Sequence, residues 1–375
     1  MAAASSKKTR IKVVAERKPG ILPAQAIRRL IEDGAIKIAQ PLVDKQLQPA
    51  SLDLRLGRVA YRVRASFLAG PGATVTQRLD ALSMHEIPLT DGAVLETGCV
   101  YVVPLQESVA LPEHLSAATN PKSSTGRLDV FTRVICDGVG AFDQIPAGYN
   151  GPLYAEICPQ TFPVLVRTGS RLSQIRFRSG DVEHDDAALR ELHKNQKLVS
   201  GSAVDIADGI AVSVDLSGGP DGLVGYRARH HTGLVDVDVV GACPMLDYWD
   251  PIPAHKSRRL ILDPNEFYIL ASKEAVHVPP THAAEMVPFN PLVGEFRVHY
   301  AGFFDPGFGH DAAGGKGSKA VLEVRSHKVP FVLEDGQIIG RLIYEPLTEL
   351  PEKLYGQDLG SHYQAQGLKL SKHFR

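Results

Sequence analysis

The sequence predicts a mainly β protein built as two tandem units of the barrel or jelly-roll kind, with a few short helices. Three observations predict it. From residue 51 to about 180 short apolar runs are separated by Gly, Pro and Asp turns, the spacing of a barrel or jelly roll. Asp181 to Lys197 breaks that pattern, and Ala187, Ala188, Leu189 and Leu192 among charges read as a linker helix. The second half then repeats the first at a spacing of 167 residues. Leu95-Glu96, Tyr101, Glu107 and Pro112 return as Leu262-Asp263, Tyr268, Glu274 and Pro279, while Glu156 lands on Glu323, Pro163 on Pro330 and Gly169 on Gly336. A fixed period of this length marks duplicated units.

Composition sets the class. A chain of 375 residues that is 44% hydrophobic can bury a large core, and two domains are expected. A net charge of −1 gives no global pull toward nucleic acid or an anionic membrane, so any anion must be held by a local site. Cys99, Cys136, Cys158 and Cys243 are scattered without a CxxC pair, which argues against a disulfide scaffold and a structural zinc site. Buried thiols in a reducing cytoplasm are expected. Residues 1 to 20 carry Lys7, Lys8, Arg10 and Lys12 without an apolar run and read as a disordered arm, and no later segment reaches membrane-spanning length. A cytoplasmic protein is expected.

In chain order, the first unit is expected over residues 21–180. Pro23, then Ile27, Leu30 and Ile31 at helical spacing, then Gly34, outline a helix. Ser51 to Leu56 alternates as a half-buried strand, with a looser counterpart at Ser213 to Leu216. Strands follow at Val100–Val103, Val130–Val134, Leu153–Ile157, Val164–Val166 and Gln174–Phe177. A linker helix fills 181–203, and the second unit runs over 204–375 with Trp249 as a packing anchor near its start. His230-His231 and His255 lack further ligands at metal spacing and read as solvated loops. Gly314 to Ser318 lacks the GxxxxGK[ST] pattern and reads as a hairpin insertion.

Asn120-Pro121-Lys122-Ser123-Ser124-Thr125-Gly126-Arg127 carries the chemistry. It packs two cations and three hydroxyls around a turn that can open a short helix, a place to hold phosphate. Its counterpart, Phe289 to Gly294, has lost both cations and every hydroxyl. The second copy instead carries Ala301-Gly302-Phe303-Phe304-Asp305-Pro306-Gly307-Phe308-Gly309, a hairpin with an acid at its tip among aromatics.

Together with Gln48 to Gly57 and Leu322-Glu323, these motifs resemble the dCTP deaminase family of the dUTPase-like superfamily, in its double-length, duplicated form. The resemblance implies two dUTPase-like β-barrels, a homo-oligomer with sites between barrels, and hydrolytic deamination of dCTP to dUTP and ammonia that feeds dUMP and dTTP synthesis. Mg2+ would arrive on the triphosphate. A dUTP pyrophosphohydrolase, alone or as a second activity, and a non-catalytic nucleotide-binding regulator are the alternatives on the same fold.

Deamination needs an activated water, a base and stabilisation of charge on the ring. The His-x-Glu and Pro-Cys-x-x-Cys pattern of zinc deaminases is missing, so a carboxylate must activate water directly. Glu323 and Glu156, each ending an apolar stretch, are the candidates, and burial there would raise a carboxyl pKa toward that of a useful base. A salt-bridged strand-end glutamate is the plainer reading of either. By the resemblance, Arg127 and Ser123 orient water and pyrimidine, Lys122, Ser123 and Ser124 touch phosphate, Ala301 offers backbone to the base, Asp305 binds the 3′-hydroxyl and Phe308 packs on the sugar. Tyr149 is similar to a sugar-stacking aromatic in the first copy. Tyr355, His362 and Gln366 are similar to a phosphate-covering tail, expected to close only over ligand, so that truncation before Tyr355 leaves the barrels folded. The duplication then predicts one composite site, with the loop of the first copy facing the hairpin and Glu323 of the second.

Overall fold

The structure, a computed structural model, describes residues 18–180, 184–201, 204–219, 221–288, 296–299, 302–326, 328–356 and 367–375. Strands dominate, with a few short helices. The chain enters the fold at Gly20–Ile21, paired with Ser173–Ser179. The helix Ala24–Glu32 follows, with Pro23 as its N-cap and Ala26 and Ile27 turned inward. Gly34, at φ +75°, reverses the chain after it.

Two sheets carry the first half. One runs, edge to edge, Gln144–Ile145, Leu115–Pro121, Ser173–Ser179, Ser51–Leu54 and Leu47–Gln48, and the other Val130–Cys136, Asn150–Pro159, Val100–Ala110, Val59–Val63 and Ser83–Pro88. Residues 204 onward repeat both in the same strand order. Phe303–Phe304, His282–Pro288, Ile338–Pro346 and Ile210–Ser213 form one, and Phe296–His299, Ser318–Ser326, Phe267–Val276, Leu223–Ala228 and Trp249–Pro253 the other. The linker region holds the helix Asp186–Gln196, opened by the Asp185 side chain.

The residues shared at the 167-residue spacing do the same work twice. The Tyr101 hydroxyl accepts the Glu96 N–H at 3.1 Å, and the Tyr268 hydroxyl that of Asp263 at 3.0 Å. The Glu107 carboxylate accepts the Arg55 N–H and Glu274 that of Ser213, both at 2.8 Å. These bonds satisfy buried backbone donors at strand corners, where a lost partner is costly. They also correct one alignment. Leu52 pairs with Ile175 and Ile210 with Leu342, so Ser51–Leu54 corresponds to Gly209–Val212 rather than to Ser213–Leu216. Pairing to equivalent partner strands, not similarity of letters, fixes the register.

Trp249 is wholly buried, but not only within its own half. Its ring lies 5.4 Å from that of Phe162, 6.0 Å from Phe267 and 5.6 Å from Phe374, in a cluster that also contains Leu95, Val103 and Ile157. Residues 235–236 add a parallel strand to Val164–Val166, sealed by Arg167 on Asp236 at 2.8 Å. Apolar burial and edge pairing thus hold the halves against each other. Trp249→Ala is expected to cost roughly 3–5 kcal/mol, the range for a buried aromatic cut to Ala; a loss below about 1 kcal/mol in urea denaturation would mean that this cluster does not join the halves.

Candidate functional site

The strand Leu115–Pro121 ends in Lys122, which caps a single helical turn, Ser123–Gly126. Thr125 and Gly126 N–H groups close on the Lys122 carbonyl at 2.8 and 3.0 Å, and Arg127 N–H on that of Ser123 at 3.1 Å. The turn buries Ser124, Thr125, Gly126 and Arg127. What it packs against comes from the other half. A Cβ on Gly126 would stand 3.0 Å from Glu323 Oε2 and 3.1 Å from Oε1, so the absence of a side chain lets the loop sit close against this carboxyl.

Glu323 lies on Ser318–Ser326 and is only 6% exposed. Burial pushes its carboxyl up to about 8; Arg127 draws it down and Asp129 adds to the rise. A group poised near neutrality can take and return a proton. Glu156, its counterpart, is placed otherwise. Arg133 donates to it at 2.6 Å, and that guanidinium lies 3.5 Å over the Phe142 ring and 4.5 Å over Phe131. Glu156 is thus an ion-paired carboxylate whose arginine partner is stacked on two aromatic rings.

At the start of the loop Lys122 pairs with Asp53, with Arg171 3.5 Å from the same carboxylate oxygen. Lys372 stands close enough to Lys122 and Arg171 that, after burial, their charges lower its pKa further. Arg171 and Lys372 escaped the sequence reading. Arg171 sits in the repeat register opposite Ile338, a cation present in one copy only, which was the available sign. Lys372 had none, since it arrives from the far end of the chain.

On the opposite side Asp305 is buried, and burial raises its pKa against the pull of Arg176. Arg176, 1% exposed, reaches across from the first half to Asp305 Oδ1 at 3.3 Å, the Ala284 carbonyl at 3.0 Å and the Phe304 carbonyl at 3.3 Å, with Phe303 4.1 Å beneath it. Lys122 is among the charges that act on Asp305, so the hairpin and the loop share one locality. Phe308 departs from expectation. It is buried in the second-half core, 5.1 Å from the Phe304 ring and 5.6 Å from Tyr355, and so backs the hairpin rather than presenting a face. Tyr149 likewise pins its own hairpin, donating to the Pro152 carbonyl at 2.7 Å. Ala301, His362, Gln366 and the Phe289–Gly294 counterpart loop lie outside the described residues.

The chain end corrects the expected tail. Tyr355 N–H donates to the Pro306 carbonyl at 2.8 Å, which ties it to the hairpin. Beyond the described gap, Arg127 donates to the Lys369 carbonyl at 3.1 Å, the Ser371 hydroxyl to the Ser124 carbonyl at 2.7 Å, and Phe374 joins the Trp249 cluster. Leu370, Ser371 and His373 are buried. Truncation before Tyr355 would strip these contacts too, so it cannot leave the packing intact.

The N-terminal domain of 2′-deoxycytidine 5′-triphosphate deaminase matches residues 18–181, and the C-terminal domain of the same family matches residues 185–374. A dUMP-forming dCTP deaminase of Sulfurihydrogenibium sp. (strain YO3AOP1) is 27% identical over 187 residues, 49% of this chain and 97% of the relative. A dCTP deaminase of Natronomonas pharaonis is 32% identical over 165 residues, 42% of this chain and 79% of the relative. The crystal structure of 2′-deoxycytidine 5′-triphosphate deaminase from Agrobacterium tumefaciens superposes with a TM-score of 0.85 at 60% identity, covering 88% of this chain and all of that one.

Deleting residues 368–375 is expected to cost about 3 kcal/mol or more of unfolding free energy, through the exposed aromatic cluster and the lost Leu370 burial. An unchanged denaturation midpoint would show that the end of the chain does not hold the loop.

Proposed function

The chain belongs to the 2′-deoxycytidine 5′-triphosphate deaminase family, and on that premise we propose that it hydrolyses dCTP to dUTP and ammonia at one composite site per chain, without zinc. The units that share the site are proposed to be tandem dUTPase-like barrels, residues 21–180 and 204–375. The contact of Gly126 with the Glu323 carboxyl carries this reading, because it sets the phosphate loop of one half against a proton-exchanging group of the other.

In the proposed reaction ionised Glu323 takes a proton from water, and the hydroxide adds to C4 of the cytosine ring. Arg127 and Ser123 orient the reactants, and the Arg127 charge steadies the developing anion. Glu323 returns the proton as the C4–N bond breaks and ammonia leaves, so that water is consumed and no redox partner is needed. Lys122, Arg171, Lys372 and Ser124 hold the triphosphate. That side offers cations rather than a carboxylate set, which suits Mg2+ arriving as part of the substrate. Asp305, steadied by Arg176, accepts from the 3′-hydroxyl, while Ala301, Tyr355, His362 and Gln366 are assigned to the base and the phosphate tail. Phe308 supports the Asp305 hairpin from behind. A homo-oligomer in the cytoplasm remains part of the proposal. The dUMP-forming names among the relatives favour one second reading, in which dUTP is cleaved further.

Incubation with dCTP and Mg2+ tests the reading: ammonia release with dUTP supports it, dUMP with pyrophosphate supports the second reading, and no ammonia from dCTP sinks both. As the base must be ionised, kcat/KM is expected to fall about tenfold per pH unit below about 8 and to level off above it. Glu323→Gln should lose roughly 10²–10⁴-fold in kcat and Glu156→Gln little; the reverse order would reassign the base. Arg127→Ala should cost about 10²-fold or more in kcat, whereas Lys122→Ala should raise KM with kcat nearly intact. Small, equal KM effects from both would reduce the loop to a phosphate clamp.

A further inference from the structure

Beside Glu323 lies a buried ion pair that the reaction as drawn does not use. Asp129 follows Arg127 by two residues, is 1% exposed and sits at φ +56°, a left-handed conformation that costs an aspartate about 1 kcal/mol and needs support. Thr161 Oγ1 donates to its Oδ2 at 2.5 Å. Arg325, from the second half, pairs with the same oxygen, donates to Thr161 Oγ1 at 3.0 Å and binds the Asn265 carbonyl. Arg325 is two residues beyond Glu323 on one strand, so both side chains leave the same face.

The repeat makes the pair informative. At the 167-residue spacing Asp129 corresponds to Phe296, Arg325 to Cys158 and Thr161 to Lys328, so the trio exists only where the loop meets Glu323. A buried ion pair adds little stability compared with apolar packing, which leaves its electrostatic effect on the neighbouring carboxyl to be explained. We propose that Asp129, clamped by Arg325 and Thr161, is a positioning residue for the deamination: it locks the Ser-Ser-x-x-Arg loop onto the Glu323 strand and fixes a negative charge beside that carboxyl. The inference rests on the assignment of Glu323 as the base.

The charges around Glu323 are Arg127 and Asp129 from the loop and Arg325 on its own strand, while the neighbouring strand sets His299 opposite it in register. Arg127 favours the ionised form of Glu323 and Asp129 the neutral form. Burial pushes Asp129 itself up to about 6, with Arg325 and Thr161 opposing the rise, so above that pH it acts as an anion. With it in place Glu323 is a stronger base than Arg127 alone would allow.

The test is the pH profile of kcat/KM, with thermal stability, for full-length wild type, Asp129→Asn, Thr161→Val and Glu323→Gln. Asp129→Asn removes the anion and leaves the Arg127 cation unopposed at Glu323, so the acid limb should move down by roughly one pH unit, with kcat lowered several-fold on the plateau and KM within about twofold. Thr161→Val keeps both charges but loosens their pairing, and should move the limb the same way by less; it decides the matter if Asp129→Asn does not fold. A limb unmoved in the folded variants, whatever their stability, overturns the proposal while an inactive Glu323→Gln leaves the base assignment standing. Turnover by Glu323→Gln would remove both.

Discussion

A carboxyl buried between two β units must find its charge partners at the junction or lose its charge. Glu323 is in that position, and the close approach of Gly126 settles what it meets. Because no side chain intervenes, the loop that carries Lys122, Ser123 and Arg127 comes up against the Glu323 carboxyl at Gly126. Any slip of one half along the other would part groups whose action depends on contact distance. The inter-half contacts are therefore part of the site. The Trp249 cluster supplies area, Arg176 ties the Ala284 and Phe304 carbonyls to the first half, and Ser371 fastens the loop from beneath.

The same junction explains why two similar halves need not give two similar sites. Glu156 and Glu323 occupy equivalent strand positions, yet one meets Arg133 under Phe142 and the other meets a loop backbone with Arg127 and Asp129 nearby. Glu156 is engaged by an ion pair at 2.6 Å, whereas the Glu323 carboxyl is raised by burial and stands between a cation and an anion. Divergence of a few neighbours, with the strands unchanged, is enough to give two equivalent carboxyls different electrostatic surroundings.

Much of this was legible in the sequence. The constant spacing of Tyr101, Glu107 and Pro112 from their counterparts reported the duplication because each shared side chain satisfies a backbone group or turn that the fold requires twice. The phosphate loop and Glu323 could be quoted from their motifs. Their adjacency could be anticipated only from the missing loop in the second copy. Other features were not readable. The helix Val75–Leu82 went unassigned although Thr74 and Gln77 form a reciprocal capping box, since its apolar residues are too few to show a period. Phe308 read as a ligand platform because a hairpin aromatic gives no sign of which face it turns. Arg176 and Lys372 gain their roles from residues more than a hundred positions away.

The C-terminal residues show how far such a role can depend on tertiary packing. Gly367 to Arg375 carries two lysines, a histidine and an arginine and has the composition of a solvated end. In place, Leu370 and Phe374 close the aromatic cluster at the junction, and their burial offsets the cost of drawing Lys372 toward Lys122 and Arg171. Three cations drawn together repel one another, with Asp53 paired to only part of that charge. The repulsion is tolerable because packing elsewhere sustains it, and an anion of several charges would relieve it on arrival. Apolar contacts at one end of the segment thereby hold a cluster of cations in place at the other, which on the proposed function would bind a charged substrate with little reorganisation of the protein.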